Sequence, residues 1–275
     1  MAELTLAAPS KLNLVLRVGP VAPDGYHPLQ SLMIALSAPQ DTVRVALDSR
    51  RRVDCPVAPG PQNLASSALD ALEAQVGRAL PVAVTITKRI PAQAGLGGGS
   101  SDAAAVLRAT NVVHACGLAD DELVQVAEQV GSDVPFFIRG GTQWAAGRGH
   151  QLRTAAPLPG LNVLVVDAGV HLSTPCVYAA FDRAPHEPLP AAAEASPRND
   201  LWHAALSLRP RLGRVVRDLR AAGADQAVLC GSGGAVAGLF SAPERAQRAA
   251  AILGPSYRTW VAQPDTPETR APPGG

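Results

Sequence analysis

The chain has 275 residues, 47% of them hydrophobic, and a formal charge of +1. That length supports a substantial core and, at roughly 150 residues per domain, two modest domains. The balanced charge, without a long Lys/Arg run, excludes the electrostatic footprint of a nucleic-acid binder and points to a small molecule as the partner.

In chain order, residues 5–18, 33–36, 43–47 and 82–87 are apolar or β-branched runs bounded by Pro, Gly and Asp, which predicts strands. Residues 63–76 place Leu64, Ala68, Leu69, Leu72 and Val76 at helical spacing, with Asn63 as N-cap. Residues 101–115 and 120–130 predict two more helices separated by Gly117. The segment 157–160, Pro-Leu-Pro-Gly, breaks the pattern, and 161–166 reads as a fresh buried strand, so the domain boundary falls at 157/158. Beyond it come a Pro/Ala-rich loop at 184–197, helices near 201–208, 211–222 and 243–253, and strands at 227–230 and 235–240. Helices and strands mix without strict alternation, which predicts an α+β protein rather than a doubly wound sheet. The expected units are 1–157 and 158–262, followed by a Pro/Thr/Gly-rich tail, 263–275, expected to be disordered.

Cys55, Cys116, Cys176 and Cys230 form no C-x-x-C pair, so they read as small buried side chains of a reducing cytosol. The first residues lack a basic segment followed by an apolar one, and no run approaches the ~20 apolar residues of a membrane span. The expectation is a cytoplasmic protein with neither membrane nor nucleic acid as partner.

The strongest chemical signal is Pro91-Ala92-Gln93-Ala94-Gly95-Leu96-Gly97-Gly98-Gly99-Ser100-Ser101-Asp102, between a predicted strand and a predicted Ala-rich helix. Its glycines let the backbone approach a ligand, and the following helix turns unpaired N–H groups and its positive dipole end toward an anion, so a polyphosphate is the natural occupant. The order is not G-x-G-x-x-G, and no Gly-Lys-Ser/Thr, His-Arg-Asp, Asp-Phe-Gly or G-x-S-x-G occurs. Dinucleotide, P-loop, protein-kinase and serine-hydrolase readings are therefore disfavoured.

This loop resembles the second motif of the GHMP kinases, named for galactose, homoserine, mevalonate and phosphomevalonate. Pro9-Ser10-Lys11-Leu12-Asn13-Leu14 resembles the first motif, and the stretch Cys230-Gly231-Ser232-Gly233-Gly234 continuing to Phe240 resembles the third. Asp24-Gly25-Tyr26-His27 and Gly131-Ser132-Asp133-Val134-Pro135-Phe136-Phe137 are similar to segments of the branch whose alcohol substrate carries a cytidine diphosphate (CDP) group.

The resemblance implies an N-terminal domain like the second domain of ribosomal protein S5, a ferredoxin-like C-terminal domain, and ATP and substrate in the cleft between them. It implies an ATP-dependent kinase acting on the tertiary 2-hydroxyl of a CDP-linked methylerythritol in non-mevalonate isoprenoid synthesis. Lys11 and Asp133 map onto the catalytic pair, with Asp133 taking the hydroxyl proton and Lys11 orienting it. Residues 91–101 would hold the phosphates, and Asn63 and Lys88 would lie near adenine. Asn13, Tyr26, His27, Thr174 and Tyr178 would contact substrate. Mg²⁺ is expected with ATP; Ser101 is the candidate ligand, and no Glu follows the serines to supply a carboxylate. Ala92-Gln93-Ala94 departs from the glycine-rich family pattern at the loop mouth. A homoserine- or mevalonate-type kinase would give no reason for Asp24-Gly25-Tyr26-His27, and a silent relative would not need both Lys11 and Asp133.

Overall fold

The computed structural model of the chain describes residues 2–56, 63–185, 187–190 and 194–265. In order, the elements are β1 (Glu3–Val18), β2 (Leu29–Leu47), β3 (Arg52–Asp54), α1 (Leu64–Val76), β4 (Val82–Thr87), α2 (Gly98–Val113), α3 (Asp120–Val130), α4 (Val134–Arg139), β5 (Thr142–Gly147) and β6 (Gln151–Thr154). They continue as β7 (Asn162–Asp167), α5 (Thr174–Phe181), β8 (Arg198–Asn199), α6 (Trp202–Leu208), α7 (Arg211–Ala221), β9 (Gln226–Leu229), β10 (Ala235–Phe240), α8 (Pro243–Leu253) and β11 (Arg258–Ala262). The fold is α+β.

A seven-stranded sheet runs β3-β4-β2-β1-β8, with β5 also paired to β2 and β6 to β5. A four-stranded antiparallel sheet runs β11-β7-β10-β9, its own strands in the order fourth, first, third, second, as in ferredoxin-like domains.

Side-chain alternation sorts these strands into layers. On β2, Met33 and Ala35 pack with Ala68, Leu69 and Leu72 of α1 and with α2, α3 and α4, whereas Leu32, Ile34 and Leu36 turn the other way. There they meet Val163 and Val165 of β7 and Ala235 and Ala237 of β10, so the two sheets pack face to face. The opposite side of β7, Leu164 and Val166, is covered by α5, α6, α7 and α8. Four consecutive buried apolar residues of β7, Val163 to Val166, explain why that strand reads as a continuous apolar run. Fully burying each such side chain stabilises by about 1.5–3 kcal/mol.

Four differences from the sequence expectations matter for the site. The predicted strands 33–36 and 43–47 are one strand, β2, because the ladder skips from Pro9↔Gln40 to Ser10↔Leu36 and leaves Pro39 in the bulge, where no ladder N–H is needed. α4 was not expected: five of its six residues, Val134 to Ile138, are buried, so no amphipathic period marks it. β8 belongs to the second half in sequence but pairs with β1 of the first sheet. The tail expectation is corrected at its start, because Gln263 and Asp265 hydrogen-bond to Ser37 and Ala35 and Pro264 bridges to Leu36; residues 266–275 lie outside the described residues. Among the described residues no helix is long and apolar enough to cross a membrane.

Candidate active site

After β4 the chain turns through the glycine loop and enters α2 with Gly97 as N-cap, in the left-handed region at φ +74° and with no side-chain cap. The amide N–H groups of the first turn are thus left for an anion. A cavity of about 490 Å³ lies here, lined by Asn63, Lys88, residues 90–100 and Asp102. Ser101 is not among its lining residues; its Oγ is buried and has no hydrogen-bond partner among the described residues.

The loop is zipped to the third motif. The N–H groups of Gly234 and Ala235 donate to the carbonyls of Gln93 and Ala94, both at 3.1 Å. A Cβ on Gly95 would stand 1.7 Å from the Cys230 carbonyl oxygen, and one on Gly233 1.9 Å from the Gly95 nitrogen. Glycine is required at both positions by backbone proximity. Gln93 occupies the left-handed region at φ +55°, so the departure at 92–94 puts a side chain where glycine would be unstrained.

Asn63 caps α1, its side chain accepting from the Ala65 N–H at 2.9 Å. Lys88 reaches two buried carboxylates, Asp41 at 2.5 Å and Asp102 at 2.6 Å. Burial alone would lower the Lys88 ammonium, but the two carboxylates, Asp102 foremost, outweigh it and hold it above its ordinary value. Burial pushes the Asp102 carboxyl up to about 7; Lys88 opposes this rise and the Asp41 carboxylate adds to it.

Lys11, on β1, is 5% exposed and its N–H donates to the Leu96 carbonyl of the glycine loop at 3.0 Å. Its Nζ donates to Asn13 Oδ1 at 2.5 Å and stands 3.7 Å from Asp133 Oδ2. Asn13 is fixed in turn through Ser31 Oγ at 2.8 Å, and that hydroxyl donates to the Val15 carbonyl at 2.7 Å. Asp133 is the N-cap residue of α4, yet its side chain makes no cap hydrogen bond and remains 36% exposed. Gly97 lies between the Phe137 ring of α4 and the Lys11 stem. The glycine loop, Lys11 and Asp133 therefore converge.

Burial, and after it the charge of Asp133, push the Tyr178 phenol up to about 12. Tyr178, on α5, lies 5.2 Å from the His27 ring, centroid to centroid. His27 is committed: its Nδ1 donates to the Gly19 carbonyl at 2.8 Å and its Nε2 stands 3.2 Å from Asp182. Tyr26 is 55% exposed, and the Arg148 guanidinium covers one of its faces at 3.7 Å from the ring centroid. Thr174 shares a hydrogen bond with Ser232 at 2.7 Å, and the two line a cavity of about 260 Å³ with Gln93, Gly95 and Gly233.

Sequence reasoning missed three participants. Arg148 also binds Asp24 at 2.8 Å and so ties the Tyr26 loop to the β5–β6 turn. Asn199 donates to the carbonyls of Leu229 and Gly231 at 2.8 and 2.7 Å, bracing the third-motif loop. Asp41 lay at the edge of a predicted strand with no motif around it. Each acts across a long sequence separation, and none carries a local signal.

Residues 63–141 match the family model for the GHMP kinases N terminal domain, and residues 178–257 match the GHMP kinases C terminal model. A 4-diphosphocytidyl-2-C-methyl-D-erythritol kinase of Desulfitobacterium hafniense is 35% identical over 94% of this chain and 95% of its own length. The chain belongs to the 4-diphosphocytidyl-2-C-methyl-D-erythritol kinase family. A solved structure of such a kinase superposes with a TM-score of 0.82 at 35% identity, covering 96% of this chain and all of the other. A homoserine kinase of Cytophaga hutchinsonii, covering 96% of this chain and 95% of its own, superposes with a TM-score of 0.72 but at 15% identity, and shares with members of this kinase family the fold alone. Family membership carries ATP use with it.

Proposed function

We propose that this protein transfers the γ-phosphoryl group of ATP to the 2-hydroxyl of 4-diphosphocytidyl-2-C-methyl-D-erythritol, a step of non-mevalonate isoprenoid synthesis. The observation that carries the reading is the Lys11–Asp133 pair at 3.7 Å beside the glycine loop, with Tyr178 close enough to feel the charge of Asp133. In this reading the cavity at the start of α2 takes ATP, with residues 91–100, Asn63 and Lys88 in its wall and Ser101 next in the chain.

The reaction forms a bond from the substrate oxygen to the γ-phosphorus and breaks the bond from that phosphorus to the bridging oxygen, releasing ADP. The hydroxyl proton passes to Asp133, whose exposure lets it return the proton to water. The Lys11 ammonium, fixed by Asn13, orients the hydroxyl and Asp133 and offsets charge on the oxygens of the transferring group. A tertiary alcohol is crowded, so alignment counts at least as much as basicity, and binding of the remote cytidine end contributes to it. In this reading Tyr26 and Tyr178 stack on cytosine, backbone groups near His27 read its edge, and Asn13 and Thr174 meet the rest of the substrate. Mg²⁺ bound with ATP would offset phosphate charge, with water as its main ligand and the Ser101 hydroxyl, which has no partner among the described residues but lies buried behind the cavity wall, as the candidate protein ligand.

The test is an ADP-release assay against alcohols with and without a CDP group. Mg²⁺-dependent turnover is expected with the CDP-linked methylerythritol and little with homoserine, mevalonate or galactose. Equal turnover of homoserine overturns the assignment.

A further inference from the structure

The Asp41–Lys88–Asp102 cluster joins three elements at one buried point. Asp41, fully buried on β2, accepts from Lys88 Nζ and also from the N–H groups of Arg89 and Ile90, at 2.5 and 2.8 Å, where the chain leaves β4 for the glycine loop. Asp102 lies in the first turns of α2, directly after the loop. The ammonium between them sits under the loop itself: a Cβ on Gly98 would lie 3.2 Å from Lys88 Nζ. One cation faces two carboxylates, so the cluster has no net positive charge to offer a phosphate. A buried ion pair of this kind adds little net stability over an apolar replacement, so stability alone does not account for it.

We propose that Asp41 and Asp102 are positioning residues for nucleotide binding, holding Lys88 as a tie that pins the start of α2, and with it the glycine loop, against β2. Resting on the reading of that loop as the phosphate site, the proposal gives Lys88 its part through the loop's position. The tie acts on the phosphates of the nucleotide and not on its base.

Asp102→Ala cuts one arm and leaves the Lys88–Asp41 pair. Titration of the wild-type and variant proteins with inorganic tripolyphosphate, ATP, adenosine and the CDP-linked substrate separates the effects. Tripolyphosphate and ATP affinity should fall by about tenfold or more, the scale of a charged hydrogen bond. Adenosine and CDP-substrate affinity and the thermal midpoint should stay near wild type. Unchanged tripolyphosphate affinity overturns the proposal, as does an equal loss for adenosine, which would make Lys88 a contact for the base. If Asp102→Ala does not fold, Lys88→Arg keeps the cation and both carboxylates but changes the length of the tie beneath Gly98; it should show the same selective loss, and wild-type tripolyphosphate affinity in it overturns the idea. A wild-type protein that binds neither tripolyphosphate nor ATP overturns the phosphate-site reading itself, and the proposal with it.

Discussion

Asp133 stands where a helix commonly receives its cap, yet its carboxylate leaves the α4 amides alone and faces Lys11. A capping role would cost stability when removed, whereas a proton acceptor costs rate. Asp133→Asn should therefore lower kcat by ~10²–10⁴ with a smaller change in substrate affinity and little change in thermal midpoint. Steady-state ADP release checks this, and a variant keeping more than about half of the wild-type kcat removes Asp133 from proton transfer. Tyr26 makes a different kind of contribution. Arg148 covers one face of the ring, and under the proposed function the other face would stack on cytosine. Tyr26→Ala should weaken binding of the CDP-linked substrate by about 1–3 kcal/mol, taking base–aromatic stacking as the scale. ATP binding should hardly change; isothermal titration of each ligand decides it, and the reverse pattern would exchange the two ends of the cleft.

At the level of elements, α1 has two duties at one residue. Asn63 caps the helix and also lines the cavity proposed for ATP. Asn63→Ala should cost about 1 kcal/mol of stability by loss of the cap and also weaken ATP binding. Asn63→Ser restores a cap without the amide, so its thermal midpoint should recover while ATP affinity does not; recovery of both would reduce Asn63 to a cap. Sequence legibility followed the same local logic. α1 was readable because its cap and its apolar spacing lie within one stretch, which the structure ends at Gly77 in the αL region. β10 and α8 fell on their predicted ranges, 235–240 and 243–253, for similar reasons. α4 was not readable as a helix, being buried almost all round, although its residues carried the motif that located Asp133. The bulge that fuses β2 is decided by the register of β1, which no window on β2 alone reveals. Asp41 and Asn199 became visible only when partners from distant segments were brought beside them.

For the molecule as a whole, the buried cluster leaves a mark on stability. Asp102 is held up to about 7 against 3.8 for a free carboxyl, so the folded state binds that proton more tightly than the unfolded chain does. Its contribution is fully present below 3.8 and is lost as pH rises through about 7. Asp24, Asp48 and Asp225, held low by hydrogen bonds from Arg148, Arg52 and Arg245, pull the opposite way, favouring the fold above the free-carboxyl value and losing that effect on acidification. The comparison that isolates Asp102 is therefore wild type against Asp102→Asn: the difference in their thermal midpoints should shift in favour of the variant as pH rises over that window, and a constant difference would show that Asp102 titrates normally. The burial of β7 was legible from its continuous apolar run, but the meeting of the glycine loop with the third motif was not, since it joins residues more than a hundred positions apart. That meeting bears on inhibition. Gly95 and Gly233 approach so closely that neither accepts even a methyl group. A compound anchored on the peptide groups of these two loops would therefore touch a surface that substitution cannot reshape without dismantling the loops, which closes the simplest route by which resistance arises.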